Sequence, residues 1–298
     1  MGLVRSFLSI VRATALEILS EPLTLLVLLS ALALAVFAPA FHYHQFGEAT
    51  RMARDAGLSA LFVCGGVIAV FGTIRTFRRE IESGTMEMAL SHPVSRGRFF
   101  LAKVAGAAAA FLAFAAVVIL VSFTIVTGAA IGGELAAQSG DIARLWGPSF
   151  AAGVAVIVLP LFLGAVLNRF ARMRFVLSAF VLAAAFAVLA GLWSVSRGME
   201  LALRLLPVFL AALLPSLVLL SAAAAVSTRL KANASASCVA ILFLLLLPMI
   251  GNCCFSDALS NGGRVPWMAI GVAVGAAAPA LLFFALLGVY LINGRDKV

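Results

Sequence analysis

Long apolar stretches dominate the chain, and they have the length at which an α-helix crosses the hydrocarbon core of a bilayer, about 20 residues. The stretch from Phe99 to Gly132 holds a single charged residue, Lys103. Apolar residues make up 64% of the sequence and charged residues only 11%, whereas a soluble domain carries about 25% charged residues. Because so little polar surface could not cover a water-exposed globule, we predict an integral membrane protein.

Eight apolar stretches are predicted to span the membrane. They are Leu23–Phe41, Gly57–Ile74, Phe99–Gly132, Pro148–Leu167, Phe175–Trp193, Leu206–Val226, Ser235–Gly251 and Pro266–Ile292. Pro207, Pro215 and Pro248 interrupt the sixth and seventh stretches, which could therefore be re-entrant and leave six full spans. The expected fold is an all-α, polytopic helix bundle of six to eight transmembrane helices, forming a single transmembrane domain over residues 1–298.

Residues 1–22 are expected to form an amphipathic helix ahead of the first span. Arg5, Arg12 and Glu17 recur at helical spacing, opposite Phe7 and Val11. A helix with one charged face and one apolar face lies in the plane of the membrane surface. The alternative is a solvated extension of the first span.

The distribution of Lys and Arg predicts the orientation of the chain. If both termini are inside, fifteen of the 21 Lys and Arg residues fall on the inner side and six on the outer side. Such residues accumulate in cytoplasmic connections, so both termini are expected in the cytoplasm and the chain in the plasma membrane. The same bias explains the net charge of +9, and no nucleic-acid partner is expected, because no basic run is interleaved with aromatic residues.

The sequence offers little catalytic or ion-coupling chemistry. Lys103 lies within two turns of the cytoplasmic end of its span, from where its ammonium group could reach water. The phosphate-binding motif G-x-x-x-x-G-K-[ST] is absent, as are H-E-x-x-H and G-x-S-x-G, so no enzyme activity and no cofactor are predicted for this chain. If ATP drives the protein, a partner subunit binds ATP and Mg²⁺. The alternative function is an ATP-independent secondary transporter or channel, with an ion site built from unwound backbone.

Two residue pairs at the outer side have open roles. His42 and His44 could share a metal ion, although histidines at a membrane interface are more often solvated. Cys253 and Cys254 are adjacent, and adjacent cysteines rarely form a relaxed disulfide with each other. Nothing nearby completes a zinc-binding set, so no metal site is predicted.

Two G-x-x-x-G motifs lie in predicted spans, Gly128 with Gly132 and Gly271 with Gly275. A spacing of four places both glycines on one helix face, where another backbone can approach closely. Packing within the bundle is the favoured use of these faces, and a seam between two copies of the chain is the alternative.

The stretch 75–98, between the second and third spans, is unusually rich in charge. The second span is expected to continue into water as a helix, with Arg79 and Glu82 at i,i+3 on its surface. Gly84 then allows that helix to end.

A short amphipathic turn is expected over 85–91, where Met86 and Met88 supply apolar side chains. Pro93 prevents the turn from continuing, and Ser95 is placed to cap the next helix. Such a turn could dock into a cleft of a cytoplasmic partner, or lie with its apolar side on the bilayer.

The order of residues in this loop is distinctive over about 25 residues. It comprises Glu80, Glu82, Gly84-Thr85, an apolar run from Met86 to Leu90, Ser91-His92-Pro93-Val94-Ser95-Arg96 and Ala102-Lys103. This order resembles that of the membrane permease subunits of type 2 ATP-binding-cassette (ABC) transporters, except that Ala102 stands where the family usually has Gly.

The resemblance implies a permease, expected to be an exporter, driven by a separate cytoplasmic ATPase subunit that docks on the loop. Two permease halves and two ATPases would form the complex, so a permease dimer is implied, while the transported substrate stays open. The residues implied in docking are Glu80, Glu82, Gly84, Thr85, Met86, Glu87 and Met88, with Pro93 and Arg96 shaping the exit of the loop.

Overall fold

The protein consists of helices joined by short turns in the residues that a computed structural model describes, which are 2–41, 49–82, 95–139, 142–230, 234–235, 237, 239 and 267–293. The α-helices are α1 Gly2–Leu19, α2 Pro22–Phe37, α3 Ala49–Val67, α4 Thr73–Glu82, α5 Arg96–Ser139, α6 Ile142–Ala171, α7 Phe175–Arg197, α8 Met199–Ser227 and α9 Trp267–Asn293. A 3₁₀ turn, Ala38–Phe41, extends α2, and a π-helical turn, Ile68–Gly72, joins α3 to α4.

The helices confirm an all-α membrane protein with several spans. Six helices within the described residues are long and apolar enough to cross a bilayer: α3 continued into α4, then α5, α6, α7, α8 and α9. The pair α1 and α2, bent by 65°, raises the number to seven if it counts as one span. The predicted span Ser235–Gly251 lies outside the described residues except for residues 235, 237 and 239.

The sixth predicted span is a continuous helix and not a re-entrant segment. Pro207 and Pro215 both lie inside α8, and its stretch Leu203–Ser227 is long enough to cross the bilayer. Prolines are tolerated in membrane helices because neighbouring helices and local backbone adjustments compensate for the lost hydrogen bonds. The expectation that these prolines could break the span was therefore wrong for this stretch.

One end of the bundle is defined by a buried cluster that joins four helices. Phe77 of α4, Phe100 of α5, Ala224 of α8 and Ile292 of α9 pack together there. We call this the loop end, because α4 ends and α5 begins at it. At the far end, Thr127 of α5 lies beside the start of α6 and the end of α7.

Helices α8 and α9 run in the same direction, since the last turns of both reach the loop end at Ala224 and Ile292. Consecutive helices joined by a short connection normally run in opposite directions. Here, in contrast, α8 ends at the loop end whereas α9 begins at the far end, so the segment between them must connect opposite ends of the bundle. A crossing at the predicted span Ser235–Gly251 would account for this arrangement, and it stays a prediction.

The N-terminal helix packs across the central helix α5. Thr14 of α1 lies against Gly106 of α5, where a Cβ atom would overlap the Thr14 side chain, and Ile18 contacts Gly72. Leu8 on another side of α1 is 57% exposed. The predicted helix is therefore present, with one face buried against the bundle, while its position in the membrane plane stays a prediction.

The two G-x-x-x-G motifs differ in their use. Gly128 lies directly against Ser149 of α6, so that a Cβ atom at this position would overlap the serine side chain. Gly271 and Gly275 face open space, with nothing in the described part of the chain within 4 Å of a Cβ placed there. Among the three motif glycines whose surroundings are described, Gly128 alone packs within the bundle, and a seam between copies at Gly271 and Gly275 stays a prediction.

Replacing Gly128 by Ala should destabilise the bundle by about 1–3 kcal/mol, the usual cost of inserting a methyl group into a packed contact. The matched variant Gly271→Ala should be neutral or slightly stabilising, because alanine favours a helix more than glycine does. Thermal unfolding of the two purified variants in the same detergent would measure the difference. Equal stability of the two variants would contradict the α5–α6 contact.

Candidate functional site at the base of the loop between α4 and α5

Helix α4 carries the chain out of the apolar part of the bundle. Its sequence, TIRTFRREIE, places Ile74 and Phe77 on a buried side, each 4% exposed, and charged residues on the remaining surface. A helix with one apolar side can continue past the membrane core because that side still packs against its neighbours. The charged residues of α4 make ion pairs in two directions, towards α5 and towards the corner between α1 and α2.

Lys103 of α5 forms a buried ion pair with Glu80 of α4. The Nζ atom lies 2.6 Å from Oε2 of Glu80, and the lysine side chain is only 2% exposed. The ammonium group also donates to the carbonyl oxygen of Thr76 at 3.4 Å. It lies 5.2 Å from the ring centroid of Phe77 and 5.9 Å from that of Phe99.

The expectation that Lys103 reaches towards water was wrong. Its ammonium group turns inward because a carboxylate, a carbonyl oxygen and two aromatic faces are nearer than solvent, and each stabilises a cation. A buried charge without a partner is costly, so a pair of this kind fixes the two helices that carry it. Glu80 and Lys103 stand on either side of the loop 83–95, and they tie its two supporting helices together.

A second set of ion pairs joins α4 to the corner between α1 and α2. Nε of Arg75 lies 3.2 Å from Oε1 of Glu21, and Nη1 of Arg79 lies 3.6 Å from Oε1 of Glu17. Burial raises the pKa of Glu21 above its ordinary value, and the Arg75 guanidinium only partly offsets this effect. Ion pairs therefore attach α4 to the α1–α2 corner as well as to α5.

The last residue of α4, Glu82, faces outward. Its side chain is 64% exposed, and Oε1 accepts a hydrogen bond from Nη2 of Arg78 at 3.1 Å. The sequence placed Arg79 and Glu82 together at i,i+3, but the structure pairs Glu82 with Arg78 at i,i+4 and turns Arg79 towards Glu17. An exposed pair of this type contributes little to stability, so the Glu82 carboxylate is accessible to a partner.

The structure describes three of the nine residues predicted to take part in docking. Glu80 is paired inside the bundle, Glu82 is exposed, and Arg96 is the first residue of α5. Helix α5 begins directly after Ser95, whose carbonyl oxygen accepts the N–H of Phe99 at 3.1 Å, as the predicted cap position requires. The other six residues lie outside the described residues: Gly84, Thr85, Met86, Glu87, Met88 and Pro93.

The sequence did not reveal the partners of the charged residues of α4. Glu17 was predicted only as a polar position of the N-terminal helix, and the arginines that pair with Glu17 and Glu21 lie more than 50 residues further on. One signal was available for Lys103, since a single lysine in an apolar span requires a carboxylate or another acceptor nearby.

In the part of the chain that the structure describes, no three His, Cys, Asp or Glu side chains are grouped closely enough to hold a metal ion. The pairs His42 with His44 and Cys253 with Cys254 lie outside that part.

A family model described as "ABC-2 family transporter protein" matches residues 24–266. The chain belongs to the ABC-2 transporter family. The match runs from the start of α2 to the edge of α9 and confirms the resemblance that the loop suggested. No curated protein and no solved structure matches the chain.

Family membership makes the chain the permease component of an ABC-2 transporter, a multi-pass membrane protein. The permease component has no catalytic activity of its own, and membership implies a partner ATPase subunit. The ABC-2 permease therefore supplies the membrane part of the transporter.

The Glu80–Lys103 pair predicts an asymmetric response to substitution. Glu80→Ala leaves Lys103 charged in a buried site and should cost about 3–5 kcal/mol of stability. Lys103→Met should cost less, because the Glu80 side chain is 27% exposed and can turn to water. The double variant should be more stable than Glu80→Ala alone. Thermal unfolding in detergent would rank the three variants, and strictly additive losses would contradict the ion pair.

Proposed function

We propose that this permease is the membrane component of an exporter and that a separate cytoplasmic ATPase docks on the stretch 75–98, around the segment that connects α4 to α5. One observation carries the proposal. The two helices that residues 83–94 connect, α4 and α5, are joined by a buried ion pair between Glu80 and Lys103. A force applied to the loop would therefore reach the spans instead of being lost in local movement.

The ion pairs suggest how ATP-driven movement would spread. α3 continues through the π-helical turn Ile68–Gly72 into α4, so Glu82, the last residue of α4, belongs to the same continuous helix as a membrane span. Arg75 and Arg79 connect the same helix to the α1–α2 corner. Coupling requires that the permease has two arrangements for which the ATPase has different affinities. We infer that α4, with α1, α2 and α5 attached, is the element that changes position.

The partner would contribute all the nucleotide chemistry. ATP and Mg²⁺ would be held by the ATPase subunit, and this chain would need no cofactor. Among the proposed contacts, Glu82 at the end of α4 lies on the surface of the described residues, as its 64% exposed side chain indicates. Glu80 would act by positioning α4, because its carboxylate is occupied by Lys103. The working unit would contain two permeases, and the substrate class stays open.

The proposed orientation puts both termini and the loop in the cytoplasm of a plasma membrane. The grouping of three arginines supports this orientation. Arg75, Arg79 and Arg174 line one cavity at the loop end. Lys and Arg are enriched on the cytoplasmic side of membrane proteins. The docking surface and the ATPase would then share a compartment.

If the ATPase docks on this stretch, substitutions at the end of α4 and just beyond it should abolish ATPase binding, while the permease itself stays folded and inserted in the membrane. Glu82→Arg reverses an exposed charge, and Gly84→Pro removes the conformational freedom at the proposed helix end. Glu200→Arg is the matched control, since its side chain is 86% exposed on α8 near the far end. Co-expression with the partner ATPase, followed by affinity purification, should recover the ATPase with the control only. Full recovery with both loop variants would refute docking on the loop.

Orientation can be tested with single cysteines in a variant that lacks the four native ones. Glu87→Cys in the loop should react with a membrane-impermeant maleimide only after the cells are permeabilised. Glu200→Cys at the far end should react in intact cells. Labelling of Glu87→Cys in intact cells would place the loop outside and overturn the proposed function.

A further inference from the structure

A cavity of about 520 Å³ opens at the loop end between α1, α4 and the start of α7. Its charged lining consists of Glu17, Glu21, Arg75, Arg79 and Arg174. It lies where α2 and α7 begin their apolar stretches and where α4 leaves the bundle. That level corresponds to the headgroup region of a bilayer.

The charges of the cavity do not balance. Each carboxylate is held by one guanidinium, Glu21 by Arg75 and Glu17 by Arg79. Arg174 is exposed, and no carboxylate in the described part of the chain forms an ion pair with it. The cavity therefore carries an excess positive charge that an anionic ligand would neutralise.

The local fold directs Arg174 to this position. α6 ends at Ala171, and Arg172 adopts a positive φ of 53°, a left-handed conformation that ends helices. Arg174 then stands immediately before α7, and its carbonyl oxygen accepts the N–H of Ser178 at 3.0 Å. The first N–H groups of a helix lack partners within the helix, and its N-terminus bears a partial positive charge. The partial positive charge at the start of α7 thus adds to the positive charge of the Arg174 guanidinium group.

Apolar side chains border the same cavity. Leu16 of α1 and Leu177 of α7 line it, and Leu16 is 40% exposed. Just before Arg174, Phe170 is 83% exposed and Met173 is 55% exposed. A surface that combines an excess guanidinium with exposed apolar groups at membrane level fits an amphiphile better than a soluble anion.

We propose that this cavity binds an anionic phospholipid, with the phosphodiester at Arg174 and the acyl chains along Leu16 and Leu177. Basic pockets between membrane helices on the cytoplasmic side are known to accept anionic headgroups. A lipid bound here would contact α1, α4 and α7 together. The proposal does not depend on ATPase docking, because none of the nine predicted docking residues lines the cavity.

The test compares lipid binding by the full chain and two arginine variants. The purified protein would be titrated with phosphatidylglycerol or phosphatidylcholine in mixed micelles, and bound lipid would be counted by native mass spectrometry. Phosphatidylglycerol should bind the unmodified chain more tightly than phosphatidylcholine does. Arg174→Gln should weaken phosphatidylglycerol binding by about fivefold, the value expected for one basic residue near a membrane surface. The matched variant Arg169→Gln, exposed on the last turn of α6 outside the cavity, should leave binding unchanged.

A second variant keeps the test decisive if Arg174→Gln folds poorly. Glu17→Gln removes a carboxylate that competes for Arg79, so phosphatidylglycerol should bind it more tightly. Size-exclusion elution would check the folding of each variant. Equal effects of Arg174→Gln and Arg169→Gln would indicate general surface attraction and overturn the site. Binding of free glycerol 3-phosphate as tight as that of the lipid would assign the cavity to a soluble phosphate compound and overturn the lipid proposal.

Discussion

A positive charge buried in an apolar bundle must find an acceptor inside the protein, and this requirement organises the loop end of the permease. Lys103 meets it with Glu80, 2.6 Å away on the neighbouring helix. Because desolvation makes each charge costly alone, the pair holds α4 and α5 at a fixed separation. The loop that joins these helices consequently starts and ends on one rigid support, and α4 extends that support to the α1–α2 corner through Arg75 and Arg79.

Hydropathy alone was enough for the architecture, because a bilayer permits few structures. Stretches of about 20 apolar residues must be helical to satisfy their backbone groups, and each described span coincides with a predicted one. The interruption of α8 was misjudged, since the effect of Pro207 and Pro215 depends on neighbouring helices that a linear sequence does not reveal. The parallel course of α8 and α9 also depends on tertiary contacts, although eight spans are compatible with it.

The sequence was enough to predict where in the chain the candidate site lies, but not which residues of the site contact one another. Charge density and the Gly-Thr to Pro-Val-Ser-Arg order drew attention to the loop, and the family match supports that resemblance. The ion pair between Glu80 and Lys103 could not be predicted from the positions of the two residues in the sequence. It depends on how α4 and α5 are oriented about their own axes, which decides which side chains face each other. Helix rotation follows from packing at positions such as Gly106 and Gly72, where α1 approaches closely.

The ion pairs between the N-terminal helix and α4 bear on how the chain is assembled during synthesis. Glu17 and Glu21 leave the ribosome long before Arg75 and Arg79, which follow the apolar part of α3. Their carboxylates can be neutralised by these partners only after that later segment has been inserted. The amino terminus would thus complete its docking late, and correct threading of the early spans would become a precondition for closing the corner between α1 and α2.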